Sequence, residues 1–360
     1  MPESSTHDGL TLPGGVTYNQ IRDAVVRSGY PSQGMVIDKL IEVIGAKNPE
    51  FPTLMIQEEW SFIDDDSNAV RQIDALVDWL ITSDADEEDN DFSRARDNFA
   101  DAASWIRTHL NFLVECKQSD LPYVAFTRNT TIGCRIPLLF GLPHETLSLI
   151  FRSDRELSMG MGAADALGTW DLGFPELANA VSIAKAHRKG KELELSGEEM
   201  YKGLALPMLK ALEYFRKTSK AHSKKMYFDV RVVFPIVVIR APLVGVQVKE
   251  GNIELRDLPW ARLVRSEPDE PDLWWNASVS GFDVVQFDHL TEYAAAAKKA
   301  AIEISERIKS FATQLLTGKA VFSDEDSVTE ADHPYKTLLP HVNPQELAEI
   351  LRKNFLDAHN

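Results

Sequence analysis

Residues 111–119, Asn-Phe-Leu-Val-Glu-Cys-Lys-Gln-Ser, constrain the fold of this chain more than any other stretch. An apolar run of strand-forming residues ends there in Glu115-Cys116-Lys117, the only Asp/Glu-x-Lys triplet in the sequence. Successive side chains of a strand alternate faces. Phe112, Val114 and Cys116 therefore share one face, and Leu113, Glu115 and Lys117 share the other. The first set can pack against a helix. The second projects a carboxylate and an ammonium side by side at the end of the strand.

A second run, 70–81, carries Arg71-Gln72-Ile73-Asp74. Strict alternation places Val70, Gln72, Asp74, Leu76 and Asp78 on one face. If the two strands are neighbours, Asp74 and Glu115 converge to metal-bridging distance. Hard oxygen ligands suit Mg²⁺ or Mn²⁺. Such an ion lowers the pKa of a bound water and neutralises charge on a phosphate, while Lys117 orients that water or stabilises the oxyanion. An isolated Glu-x-Lys is more often a surface pair on an edge strand. The context here, a preceding carboxylate strand and a following basic helix, is what favours a site.

The rest of the chain supplies both kinds of element. Helices are expected at 17–28 and, after a Gly29-Tyr30-Pro31-Ser32 turn with Ser32 as cap, over 35–44. Residues 53–62 and 70–81 read as a hairpin around the 64–68 turn. A helix follows from 93 to 109, then the strand 111–117 and a short extension at 123–127. A helix is expected at 175–188, and a long one at 197–222 behind the capping-box pair Ser196 and Glu199. Residues 228–240 are strongly β-forming, 243–249 and 253–264 read as a hairpin, 274–287 as extended, and 293–316 and 344–357 as helices. The expected architecture is α+β, close to α/β, around one central mixed sheet.

Composition bounds the function. The chain has 360 residues, 44% of them hydrophobic, enough for a substantial core. No apolar run reaches the ~18 residues of a membrane span, and no secretory leader is evident, so no membrane association is expected. Two cysteines, Cys116 and Cys134, make neither a disulfide framework nor a zinc site, which points to a reducing, cytoplasmic setting. The net charge of −17 argues against indiscriminate coating of nucleic acid. Yet basic residues crowd 185–225, where Lys185, Arg188, Lys189, Arg216, Lys217 and Lys220 form a candidate phosphate-backbone surface; its bland reading is a solvated helix face.

Asp74 followed by Glu115-x-Lys117 resembles the PD-(D/E)XK restriction-endonuclease-like superfamily. Gly29-Tyr30-Pro31, Arg71-Gln72-Ile73-Asp74, and Val114-Glu115-Cys116-Lys117-Gln118-Ser119 with Pro122-Tyr123-Val124 are similar to bacterial members related to Mrr-type and Holliday-junction-resolvase-type nucleases. The resemblance covers 29–127 and, more loosely, 197–240. It implies an αβββαβ core; this chain departs from it by a large insertion after the third strand, and its own pattern adds a C-terminal β-hairpin plus helices. It implies Mg or Mn held by Asp74, Glu115 and the Cys116 carbonyl, with Asp74, Glu115 and Lys117 catalytic. Gln118, Gln33, Glu58 and Glu59 are accessory candidates, although relatives often carry an acidic residue where Gln33 stands.

The segments expected are an N-terminal arm and short helix (1–28), the first part of the core (29–127), the insertion (128–195), the rest of the core (196–317), and an acidic linker with a terminal helix (318–360). The expected function is hydrolysis of nucleic-acid phosphodiesters, DNA foremost, in defence or repair. A homodimer or a protein partner is compatible with it. The alternative is a catalytically silent nuclease-fold protein that binds a protein or nucleic acid.

Overall fold

A computed structural model describes residues 11–28, 30–45, 53–81, 106–128, 134, 136–152, 156–169, 172, 178–221, 228–267 and 278–323. The helices expected within 93–105 and at 344–357 lie outside these residues.

The chain opens with helices α1 (Tyr18–Ser28) and α2 (Tyr30–Ile44). Strands β1 (Leu54–Asp64), β2 (Ala69–Leu80), β3 (Ile106–Gln118) and β4 (Tyr123–Thr127) follow. Next come β5 (Leu138–Phe140), β6 (Thr146–Arg152), β7 (Glu156–Gly162), a short α3 (Ala163–Ala166), β8 (Ala178–Lys189) and β9 (Glu192–Ser196). A single turn α4 (Glu198–Met200) runs through a π-helical turn, Tyr201–Ala205, into α5 (Leu206–Thr218). The last part holds β10 (Phe228–Arg240), β11 (Leu243–Lys249), β12 (Asn252–Asp257), β13 (Trp260–Glu267), β14 (Ser278–Gln286), α6 (Leu290–Ser310), α7 (Ala312–Thr317) and β15 (Lys319–Ser323).

The strands form a twelve-stranded sheet along the path β1-β2-β3-β10-β14-β13-β8-β4-β11-β12, with β5 beside β10 and β9 beside β8. The sheet is mixed: β1, β2 and β3 pair antiparallel, while β10 runs parallel to both β3 and β14. The strand β10 is apolar on both faces because both are covered. Phe234, Ile236 and Val238 join a core layer with Val36 and Leu40 of α2 and Tyr293, Ala297 and Ile304 of α6. Val233, Val237 and Ile239 join the opposite layer with Met208, Leu212 and Phe215 of α5. The α+β class with a large mixed sheet is as the sequence led one to expect.

Several expectations need correction. Of the helix expected at 175–188, residues 178–188 are part of the strand β8 and the rest lie outside the described residues, and residues 106–109, expected as a helix end, begin β3. The alanines of Ala178–Ala186 favour a helix in isolation. Pairing with β4, β9 and β13 overrides that preference. The expected strand 253–264 is two strands, β12 and β13, which pair with different neighbours. Ser32 is not a cap outside the helix: it lies within α2. The stretch 128–195 is woven into the molecule, since β8 sits within the main sheet and β6 and β7 form a small sheet with the C-terminal β15.

Face alternation also fails at one place. On β1, Leu54 and Ile56 pack with the first core layer, whereas Trp60 and Phe62 pack with the second. On β2, Ala75, Val77 and Trp79 belong to the first layer and Ile73 to the second. The register survives, with Glu58 opposite Ala75 and Trp60 opposite Ile73. Both strands therefore turn over together, at Glu59 and Asp74. Glu59 has a φ of 51°, outside the β region and costly for a residue with a Cβ.

Candidate active site

The turnover falls where the candidate residues meet. Strands β2 and β3 pair from Leu80–His109 up to Ala75–Val114. Asp74 and Glu115 are the next positions along the two strands. Across β1, Glu59 lies between the pairs that flank Asp74. Like charges on neighbouring strands repel, so this part of the sheet needs a compensating charge.

Two contacts supply part of it. Lys117 Nζ donates to Glu115 Oε1 at 2.5 Å, and the Cys116 backbone N–H donates to Asp74 Oδ2 at 2.5 Å. The Glu115 side chain is 9% exposed and that of Lys117 33%. Burial raises the Glu115 pKa to about 7, and the charge of Asp74 adds to it against the opposing pull of Lys117. Burial likewise raises the Asp74 pKa, with Glu59 adding to it while the Cys116 N–H and Lys117 oppose. Burial and the two carboxylates push the Cys116 thiol far upward. It is a packing residue, and Cys116 lies against the α2–α6 core layer as its face predicts.

The first turn of α2 bonds to the middle of β1 and β2 and to the end of β3. Gln33 Nε2 donates to the Asp74 carbonyl at 3.0 Å and to Glu58 Oε2 at 3.4 Å. Ser32 Oγ donates to Gln118 Oε1 at 2.9 Å. The Gln72 amide donates to the Glu59 carboxylate. Asp74, Glu115, Lys117, Gln33, Gln118, Glu58 and Glu59 thus fall in one neighbourhood. Ser32 is the addition; its serine-before-apolar signal is the same one that reads as a cap. The expectation that Val70 and Gln72 share a face with Leu76 by simple alternation is corrected by the turnover: Ile73 and Leu76 lie in the same core layer, so Gln72 faces the other way.

The basic residues are less free than the sequence suggests. Lys185, Arg188 and Lys189 lie on β8, and Arg216 and Lys217 on α5, so the helical surface expected across 185–188 is in fact a strand. Lys217 pairs with Asp65 at 2.6 Å and Glu213 at 2.8 Å, and Lys189 pairs with Glu194 at 2.9 Å. Lys210 bonds Asp66 and Glu213. Arg188, Arg216 and Lys220 are exposed.

A second polar group lies toward the start of β3. His109 Nδ1 is 2.7 Å from Asp78 Oδ1, Arg231 Nη1 donates to Asp78 Oδ2 at 2.8 Å, and Arg107 Nε donates to Asp229 Oδ1 at 2.7 Å. Burial opposes charging of His109, but Asp229 and Asp78 outweigh it and raise its pKa. Cations and carboxylates alternate across three strands here, the pattern of a structural network.

Among the described residues, no three or more His, Cys, Asp and Glu side chains cluster so as to hold a metal ion. The donor set available is Asp74 and Glu115 with the Cys116 carbonyl. Two carboxylates that repel one another on adjacent strands, Glu115 buried and Asp74 half-buried, fit a divalent cation by charge and by ligand type. No helix among the described residues is long and apolar enough to cross a membrane. Comparison with models of protein families, with curated proteins and with solved structures found no match.

Proposed function

We propose that this protein is a Mg²⁺- or Mn²⁺-dependent nuclease that hydrolyses phosphodiester bonds of nucleic acid, DNA foremost, in a reducing cytoplasmic setting. The observation that carries the reading is the charge-strained pair of Asp74 and Glu115 beside Lys117, with the Glu115 pKa raised to about 7. The order α2-β1-β2-β3-α5-β10, with neighbouring strands β1-β2-β3-β10 and a helix on each face, supports the resemblance to the PD-(D/E)XK superfamily.

A bound divalent cation would supply charge neutralisation at the phosphate and an acidified water. Asp74, Glu115 and the Cys116 carbonyl would hold it. The Cys116 N–H fixes the Asp74 carboxylate, and Gln33 fixes the backbone beneath it. Lys117, held against Glu115, would place its ammonium to orient the attacking water and to offset charge gathering on the phosphate oxygens. Exposed Arg188, Arg216 and Lys220 would contribute sequence-independent contacts to the phosphate backbone.

The test is cleavage of plasmid, linear duplex, single-stranded DNA and RNA with Mg²⁺ or Mn²⁺, with Lys117→Ala beside the wild type. Metal-dependent cutting is expected, reduced by at least about a hundredfold in the variant. The neutralisation of Lys217 and Lys189 by Asp65, Glu213 and Glu194 favours a second reading, a silent nuclease-fold binding module. Absence of cutting on every substrate, together with no calorimetric binding of Mn²⁺, would leave that second reading standing.

A further inference from the structure

The far end of the main sheet from the candidate site is an open edge. Strand β12 pairs only with β11 among the described residues, and all six of its residues, Asn252 to Asp257, are exposed. Edge strands of this kind are usually blunted by a proline, a bulge or inward charge. Here the β11–β12 register runs without interruption from Lys249–Asn252 to Val244–Asp257. The two-residue turn between them has Glu250 at φ 51° and Gly251 at φ 83°, the signature of a type I′ hairpin. The flanking pair of such a turn exchanges hydrogen bonds, and Leu258 N–H continues the same alternation by donating to the Leu243 carbonyl at 2.9 Å. Even-numbered residues of β12 therefore bond inward. The N–H and C=O groups of Ile253, Leu255 and Asp257 point to the open edge.

One face of this edge is apolar over Ile253 and Leu255 and ends in Asp257. Ile253 is 70% exposed, Leu255 67% and Val248 66%, and pairing sets Val248 beside Ile253 and Val246 beside Leu255. The other face carries Asn252, Glu254 and Arg256.

We infer that β12 pairs antiparallel with β12 of a second copy of this chain, about a two-fold axis through Leu255, joining two sheets into one. The charges select this register. Centring on Leu255 places Glu254 opposite the second copy's Arg256 and Arg256 opposite its Glu254, two attractive cross-strand pairs. Centring on Glu254 or on Arg256 would set two like charges face to face. A register displaced by one residue would oppose the apolar face of one copy to the polar face of the other. The Leu255-centred register keeps Val246, Val248, Ile253 and Leu255 of both copies on one face, with Asp257 of each copy at the end of that face opposite Ile253 of the other, and it alone pairs Glu254 with Arg256. An isologous contact closes on itself and uses up the β12 edge of both copies. The inference does not depend on the nuclease reading.

The test is a charge exchange read by sedimentation equilibrium. The 360-residue chain, 40.4 kDa, is expected to sediment at twice that mass. Glu254→Arg and Arg256→Glu, each at an exposed position, should weaken self-association roughly tenfold or more while leaving circular dichroism and melting unchanged. An equimolar mixture of the two variants should associate again, because each supplies the charges the other needs, and so should the double exchange. A monomeric wild type at ~100 µM, within reach of a micromolar interface, overturns the inference. So does a dimer that both single variants leave intact, or variants whose mixture fails to reassociate.

Discussion

Glu115 carries its charge against its surroundings. Its folded pKa, about 7, exceeds the ordinary value of 4.5 because burial and Asp74 disfavour the carboxylate. Between those values the folded state holds a proton that the unfolded chain releases. Stability therefore falls as pH rises from about 4.5 to about 7 and is level above. The full shift corresponds to roughly 3 kcal/mol. Glu115→Gln removes the charge but leaves Lys117 without its partner, so a net gain of about 1–2 kcal/mol is expected at pH 8, shrinking toward zero or below by pH 4.5. Urea unfolding at the two pH values checks it, and equal effects at both would contradict the origin assigned to the strain. The same variant is expected to lose cleavage, as a site that trades stability for chemistry should. Lys117→Ala, by contrast, is expected to lose activity and some stability together, because it strips Glu115 of its nearest compensating cation.

At the scale of elements, the candidate site lies where two strands turn over together. Glu59, at φ 51°, faces Asp74, and α2 reaches this point through Gln33 and Ser32. On the other face α5 is tied to the β1–β2 turn by Lys210 to Asp66 and Lys217 to Asp65, so the basic helix and the acidic turn serve each other. The polar network at the start of β10 has its own wedge. Gly141, at φ 79°, lies so close to β10 that an added Cβ would come within 2.1 Å of the Asp229 carbonyl oxygen and 2.9 Å of that of Ser219. Both are backbone atoms and cannot rotate away. Gly141→Ala is expected to cost roughly 3 kcal/mol or more, from the positive φ and the clash together. A urea midpoint unchanged from wild type would show that the loop after β5 can move off the strand.

For the molecule as a whole, the twelve-stranded sheet carries the candidate site toward one end and an open strand at the other. A cation that binds the folded state alone stabilises it by mass action. Under the proposed function Glu115 would have to shed its proton to bind such an ion, so the effect would depend on pH. Mn²⁺ at millimolar concentration is expected to raise the melting temperature by several degrees at pH 8, and by much less at pH 5.5, with Asp74→Asn abolishing the difference. A rise that persists in Asp74→Asn would locate the ion elsewhere.

The sequence by itself determined the strands β1, β2 and β10, the end of β3 over 111–117, the helix after residue 197, and the placing of Glu115 and Lys117 on one face; the neighbouring of β2 and β3 that brings Asp74 beside them came from the fold. The former are local properties: apolar runs bounded by turn residues, and the strict two-residue period that separates Cys116 from its neighbours. The capping pair expected of Ser196 and Glu199 does not form, since Ser196 ends β9 and the helix starts after Gly197 with no side-chain cap. Only the tertiary structure decided the rest. It made a strand of Ala178–Lys189, whose alanines favour a helix until neighbours on both sides offer hydrogen bonds. It turned β1 and β2 over at Glu59 and Asp74, a break in periodicity that no local residue type announces. It also committed Lys217 to Asp65, across 152 positions of sequence. Pairings of that range are settled by which surfaces the fold brings together, and a linear reading of charge cannot distinguish a cation awaiting a ligand from one already held by a carboxylate.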